Sequence, residues 1–217
     1  MKNNHTAVAG ESQENTSLLS KTKVLERLSH TKLNTENAAF GLAKWMPEDK
    51  DLEIRWNVYP SVLGEVLIAS TDKGVCFLGF GDEQKDFTLT ELQEKFPENK
   101  LEKGSSPFHQ EALSRIGHPE ANNTVHLHLK GTAFQLNIWK KILKVPFGGL
   151  TTYAKLGDQP RNARAVGTAV GANPVCLIVG CHRVVHSDGN IEGFHYGTPI
   201  KEKLLAFEAA NSRVTAG

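Results

Sequence analysis

Between residues 52 and 80 the chain is committed to a sheet. Leu52, Ile54, Trp56 and Val58 alternate with charged or polar neighbours, the period-two pattern of a half-buried strand. Tyr59-Pro60-Ser61 reads as a turn, Glu65 to Ser70 as a second strand, Thr71-Asp72-Lys73-Gly74 as another turn, and Val75 to Phe80 as a third strand. Two antiparallel hairpins result. Thr88 to Phe96 and Phe108 to Ile116 are short helix candidates around a loop from Pro97 to Pro107. Val125, Leu127 and Leu129 then alternate with His126, His128 and Lys130 in one more strand. The expected unit over residues 51–130 is a small sheet with flanking helices. Upstream, residues 1–20 are polar and aperiodic and read as a disordered tail. Residues 21–50 form an unassigned N-terminal extension, in which Val24, Leu25 and Leu28 could make a short amphipathic helix before Asn34 to Asn37 interrupts it.

The pattern changes at Gly131, where residues 131–213 begin a helical unit. Thr132 and Gln135 form a capping box. Phe134, Ile138 and Ile142 then share a helix face, with Trp139 and Leu143 beside it, until Pro146 and Gly148-Gly149 stop the helix. A short helical turn over Thr152 to Leu156 precedes a helix over residues 160–172. That helix is rich in small residues (Ala163, Ala165, Gly167, Ala169, Gly171), which allow close approach to another surface, and Asn173-Pro174 ends it. Helix, turn, helix is a helix-turn-helix pattern. Val175 to Val179 reads as a buried strand. Residues 198–210 read as a final helix with Thr198 as N-cap, Pro199 in its first turn, and Ile200, Leu204 and Phe207 facing the core.

Composition narrows the function classes. No apolar run approaches the ~18 residues of a membrane span, and the polar first 20 residues hold no secretory core. Three cysteines, Cys76, Cys176 and Cys181, make no disulfide framework and suit a reducing cytoplasm. Residues 1–130 carry 15 Lys and Arg against 19 Asp and Glu, whereas residues 131–217 carry 10 against 5. A basic C-terminal part suits a polyanion on one side of the molecule only.

The strongest local signal is Gly180-Cys181-His182-Arg183-Val184-Val185. A thiol becomes a nucleophile when a base removes its proton, and His182 stands next to Cys181. Adjacent side chains on an extended segment point apart, so this pair needs a water relay or a turn. Glu208 is the best candidate to orient the imidazole. A bare Cys-His pair also suits an inert buried thiol. Zinc is a poorer reading of Cys176, Cys181, His182 and His186, because Cys176 sits inside an apolar segment and structural zinc favours closer pairs.

The segments FQLNIWKKILKVPFGGLTTY, RNARAVGTAVGANP, LIVGCHRVV, and GFHYG followed by KEKLLAFE run in order from Phe134 to Glu208. Together they resemble the C-terminal domain of the methylated-DNA–protein-cysteine methyltransferases, the O6-alkylguanine-DNA alkyltransferases. Residues 51–118 resemble that family's N-terminal domain more loosely. The resemblance implies a mixed α/β (α+β) protein, with a ribonuclease-H-like sheet domain followed by a winged-helix-like helix-turn-helix domain. It implies direct repair of O6-alkylguanine in double-stranded DNA by a monomer, without cofactor or metal, through irreversible transfer of the alkyl group to Cys181. In that scheme His182 is a water-linked base, Glu208 its orienting carboxylate, and Asn173 braces the turn before the nucleophile. Arg164 enters the base stack from the minor groove while Tyr153 helps rotate the target nucleotide out. Ala163, Gly167 and Arg183 join them at the DNA, and Tyr153, Val184, Phe194 and His195 line the base pocket. Relatives that lack the reactive Cys bind lesions without repairing them, so a weak or inactive lesion-binding protein is the alternative. A cysteine hydrolase would need a small-molecule cleft and an oxyanion hole.

Three departures stand out. Gly180 replaces the Pro that usually precedes the reactive Cys. The stretch from Tyr153 to Arg164 is about three residues shorter than the usual helix-turn-helix. Cys176 occupies a position usually Pro, small or apolar, which in the family fold lies near the pocket and makes a Cys176–Cys181 disulfide under oxidation conceivable. The four-cysteine zinc site of activator-fused relatives is absent, so the resemblance implies no activator function.

Overall fold

The structure, a computed structural model, describes residues 19–34, 40–81, 86–119 and 123–212. Its first half is a six-stranded sheet in the order β1-β6-β4-β3-β2-β5. The strands are β1 (Phe40–Lys44), β2 (Ile54–Ser61), β3 (Gly64–Thr71), β4 (Gly74–Phe80), β5 (Leu101–Lys103) and β6 (Val125–Leu129). The β2-β3-β4 meander is antiparallel, while β1, β5 and β6 join parallel to their neighbours. Every residue of β4 is buried, as befits a strand with both faces covered. Leu92 and Phe96, from α2 (Asp86–Lys95) and its end, cover Ile54, Leu67, Ala69, Cys76 and Phe77. Ala112 and Ile116 of α3 (Pro107–Gly117) lie on the opposite face with Val66, Ile68, Val75 and Leu78.

The sheet differs from the sequence reading at three points. Tyr59-Pro60-Ser61 continues β2, and the turn falls on Val62 and Leu63, closed by Gly64 at φ 112°. Pro60 is tolerated because β5 pairs only with residues 54–56, so no ladder needs its missing N–H. The expected loop 97–107 contains β5, a three-residue edge strand too short to show a period. Residues 40–44 join the sheet beside β6, although they lie in the unassigned extension. The tail expected over residues 1–20 falls outside the described residues apart from positions 19 and 20.

The expected helix near Val24 is present as α1 (Lys21–His30). It packs Val24 and Leu28 against Leu150, Val185 and Leu205 of the second half. That half contains α4 (Ala133–Ile142), β7 (Thr151–Thr152), α5 (Tyr153–Leu156), α6 (Ala163–Gly171), β8 (Val184–Val185) and α7 (Thr198–Asn211). The capping box of α4 is made in full: Thr132 N–H donates to Gln135 Oε1 at 2.8 Å, and Gln135 N–H to Thr132 Oγ1 at 3.2 Å. Phe134 is exposed rather than facing inward, because the buried stripe runs through Leu136, Ile138, Trp139 and Ile142. Trp139 Nε1–H donates to Ala169 O at 2.8 Å and fastens α4 to α6. A separate 3-10 turn over Pro160–Asn162 precedes α6, in place of one continuous helix from 160. The connection between α5 and α6 is closed by Asp158 at φ 61° and by Asn162 Nδ2, which donates to Gly157 O at 2.8 Å. A Cβ at Gly157 would lie 3.0 Å from Asn162 and Val166 side-chain atoms, which would have to give by a few tenths of an ångström, so glycine lets this turn close tightly.

Candidate active site

Cys181 sits at the end of a segment that is not the expected strand. Only Val175 bridges to the sheet, at Leu78, and the chain then coils tightly, with Leu177 at φ 67°. Asn173 causes this coiling. Its Nδ2 donates to Val179 O at 2.9 Å and to Val175 O at 3.4 Å, while its Oδ1 accepts from Val175 N–H at 3.0 Å. Gly180 follows, and Cys181–Arg183 form a single 3-10 turn. Cys181 and His182 thus share one buried turn rather than an extended segment.

His182 and Glu208 meet as the sequence suggested. The imidazole Nε2 lies 2.7 Å from Glu208 Oε1, and both side chains are buried. Burial alone would raise the Glu208 carboxyl pKa, but Arg183 and then His182 hold it well below the usual carboxylate range. An ionised carboxylate only accepts, so Nε2 carries the proton and Nδ1 keeps a lone pair. Nδ1 is buried and has no hydrogen-bond partner. Burial lowers the imidazole pKa despite the pull of Glu208, which favours this neutral, proton-accepting form.

Glu208 is held from three more directions. Arg183 donates from Nε at 3.1 and 3.0 Å and from Nη2 at 2.9 Å, and its Nη1 reaches Val145 O at 2.9 Å. Gly148 N–H donates to Oε2 at 2.9 Å. Arg183 was expected at the DNA, but its guanidinium is spent inward on Glu208. It serves the site as a clamp.

The thiol has two further neighbours: Cys176, which the resemblance put near the pocket, and Lys201, which sequence reasoning did not assign. Cys176 Sγ lies 3.8 Å from Cys181 Sγ, and all three cysteines are free. The Cys176 S–H bond to the Cys181 sulfur is the largest influence lowering the Cys181 pKa. Asn173 and Lys201 assist it against burial, and Cys176 itself is pushed up. Lys201 is fully buried, donates to Val184 O at 2.7 Å, and is brought down to about 8, by burial first, against the pull of Cys181. Its signal was present in the sequence. Lys201, Leu204, Leu205 and Glu208 follow i, i+3, i+4, i+7, the fully buried stripe of α7. Ile200 and Phe207, expected to face the core, are only half-buried at its edges, and the N-cap is Gly197 rather than Thr198.

The remaining predicted residues divide. Tyr153 starts α5, half-buried, and its phenol donates to Gly193 O at 3.4 Å. Burial and then Cys181 raise its pKa, so the phenol stays protonated. Its ring runs past Gly167, where an added Cβ would lie 4.0 Å from Cε1. Arg164 is exposed near the start of α6, with Ala163 and Gly167 half-buried on the same helix. Phe194 packs against the core cluster that includes Cys181. Val184 is completely buried, and His195 turns to the first half, where Nε2 lies 3.2 Å from Glu91 Oε1. Among the described residues no group of three His, Cys, Asp or Glu side chains is placed to hold a metal ion, and no helix is long and apolar enough to cross a membrane.

Known proteins resemble this chain in sequence and fold. Residues 133–210 match the family model "6-O-methylguanine DNA methyltransferase, DNA binding domain", and residues 54–110 match its "ribonuclease-like domain". The chain is 33% identical over 169 residues to the bifunctional transcriptional activator/DNA repair enzyme Ada of Escherichia coli, covering 75% of this chain and 47% of Ada. It thus spans about half of that relative. It is also 33% identical to the methylated-DNA–protein-cysteine methyltransferase of Methanosarcina barkeri, covering 73% of this chain and 99% of that protein. Among solved structures, O6-methylguanine methyltransferase of Mycobacterium tuberculosis aligns with a TM-score of 0.59 at 28% identity, over 73% of this chain and 94% of that one. The same enzyme in complex with DNA aligns with a TM-score of 0.57 at 26% identity, with the same coverage. With both domain models matched in order, and 99% of the M. barkeri protein covered at 33% identity, the chain belongs to the 6-O-methylguanine DNA methyltransferase family.

Proposed function

We propose that this protein repairs O6-alkylguanine in duplex DNA by a single, irreversible alkyl transfer to Cys181. The observation that carries the reading is the buried Cys181–His182–Glu208 set, with His182 Nε2–H committed to Glu208 and Nδ1 left as a base. The thiol proton passes to Nδ1, directly or through a water. The Cys181 sulfur forms a bond to the alkyl carbon, the carbon–O6 bond breaks, and its electron pair stays on guanine, which recovers the proton. The thioether product has no route back to a thiol, so each molecule acts once.

A base inside a duplex hides O6, so the nucleotide must be flipped out. The helix α6 suits minor-groove entry. Its small residues allow close approach, and exposed Arg164 supplies a planar cation for the vacated stack. Tyr153, beside Gly167 and the Gly193 carbonyl, stands between that helix and the base pocket. The basic balance beyond residue 131 supplies phosphate attraction. The protein acts as a monomer, and its free thiols suit the cytoplasm. No cofactor enters the scheme, and no observation favours lesion binding without transfer. The test is stoichiometric. With excess O6-methylguanine duplex, transfer should stop at about one methyl per protein; continued turnover would refute the suicidal reading.

Gly180 tunes the nucleophile's approach. Its φ of −66° is the angle that proline fixes, and an added Cβ would lie 3.0 Å from Arg183 Nε, so Arg183 must yield by a few tenths of an ångström. Gly180→Pro is expected to raise the alkyl-transfer rate about twofold to fivefold by reducing backbone freedom. An unchanged or slower rate in a rapid-quench assay contradicts that role.

A further inference from the structure

We propose that Arg27, on helix α1 and outside both matched domains, is a positioning residue for the His182–Glu208 pair; its kinetic consequence rests on the alkyl-transfer reading above. Arg27 is 4% exposed. Its Nε and Nη2 donate to Gly148 O at 3.1 and 2.8 Å, and its Nη1 donates to Leu205 O at 3.2 Å. These two carbonyls belong to the two segments that hold Glu208. Gly148 presents its N–H to Glu208 Oε2 at 2.9 Å, and Leu205 lies one turn before Glu208 on α7. Arg27 therefore pins the donor loop and the acceptor helix to each other. The relay runs from Arg27 to the Gly148 carbonyl, across the Gly148 Cα to its N–H, and from there to Glu208 and His182.

Two further features show that the contact is built rather than incidental. The Gly148 peptide is held at φ 78°, and any side chain there would run into Ser212 at 2.2 Å, so the orientation of its N–H depends on glycine. Thr31, just past α1, accepts from Leu150 N–H at 2.9 Å on the same loop. A buried guanidinium bonded only to carbonyl oxygens needs a counter-charge within reach. The groups around it are Glu208, which favours its charged form, and Arg183, which opposes it, while burial is the largest influence against the charge. Glu208 thus lies between two cations, Arg183 in direct contact and Arg27 on the far side of the Gly148 residue. An apolar side chain would seat α1 on Leu150, Val185 and Leu205 without this arrangement.

The test compares wild type with Arg27→Met and Arg27→Lys in the full chain. Imidazole nitrogen NMR shifts of His182 are read first, because they need no alkyl transfer. Wild type should show the Nε2–H tautomer, and Arg27→Met should show a mixture or an upward-shifted titration. Arg27→Lys, which keeps the charge, should return toward wild type and also covers the case in which the Met variant does not fold. With O6-methylguanine duplex, Arg27→Met should transfer roughly 10-fold more slowly, with the acid limb of its pH–rate profile moved upward. A purely structural role would lower the melting temperature and leave both readouts in place. Folded variants with unchanged His182 shifts and an unmoved acid limb overturn the proposal. Failure of wild type to transfer alkyl groups, with the His182 shifts behaving as stated, instead overturns the functional reading and leaves the positioning role standing.

Discussion

Glu208→Gln should slow alkyl transfer by roughly two to four orders of magnitude, the range for loss of a positioned acid–base partner. The substitution keeps the shape and removes the charge. His182 Nε2–H then faces a neutral amide, the preference for the Nε2–H tautomer weakens, and Nδ1 is no longer reliably the base. Arg183, bonded to both carboxylate oxygens, and Arg27 behind Gly148 lose their shared counter-charge in a buried site. Breaking a buried pair by neutralising one member costs about 3–5 kcal/mol, so the melting temperature should fall as well. The pH dependence separates the two buried groups. Glu208 is held below its ordinary 4.5 in the folded protein, so its stabilisation is complete above 4.5 and is lost as pH falls further. His182 is held below 6.5, so its contribution also declines on acidification, beginning at higher pH. Glu208→Gln removes the lower phase, and its melting temperature should flatten below pH 4.5 relative to wild type. Transfer at the wild-type rate, or a parallel melting profile, contradicts the role given to Glu208.

Arg164→Ala should leave the chemistry intact and impair access to it. Flipping a nucleotide costs a few kcal/mol, and each 1.4 kcal/mol is a factor of about ten. If Arg164 occupies the vacated stack, its loss should slow duplex repair by about 100-fold. Reaction with the free O6-methylguanine base, which needs no flipping, should stay within about twofold of wild type. Arg164 is exposed on α6 and is remote in role from the Glu208 clamp, so the variant should fold normally. Equal losses on duplex and free base would remove Arg164 from base extrusion.

The sequence was most legible where one local rule governs one element. The alternation in Ile54–Val58, the Thr132–Gln135 capping box and the small-residue helix α6 each lie where their patterns placed them. The errors arose where tertiary context decides. Pro60 looks like a turn until the partial reach of β5 shows that its nitrogen faces no partner. Residues 175–179 look like a buried strand because coiling imposed by the Asn173 side chain leaves no periodic trace. The site divides in the same way. The Cys181–His182–Glu208 set was legible from local signals and the family resemblance. Arg183 was misplaced because a cation beside a nucleophile in a basic domain suggests DNA, and only the fold shows it bonded to Glu208. Lys201 and Arg27 were missed because a charged residue inside an apolar stripe reads as an edge position until its buried carbonyl partners are seen.

Intact-protein mass spectrometry after incubation with a duplex containing O6-methylguanine tests the central claim most directly. The account predicts a single adduct of about 14 Da that is absent in Cys181→Ala, placing one methyl group on the Cys181 sulfur. Tight binding to the lesion with no adduct would contradict it, and would mean that this site recognises alkylated guanine without accepting the alkyl group.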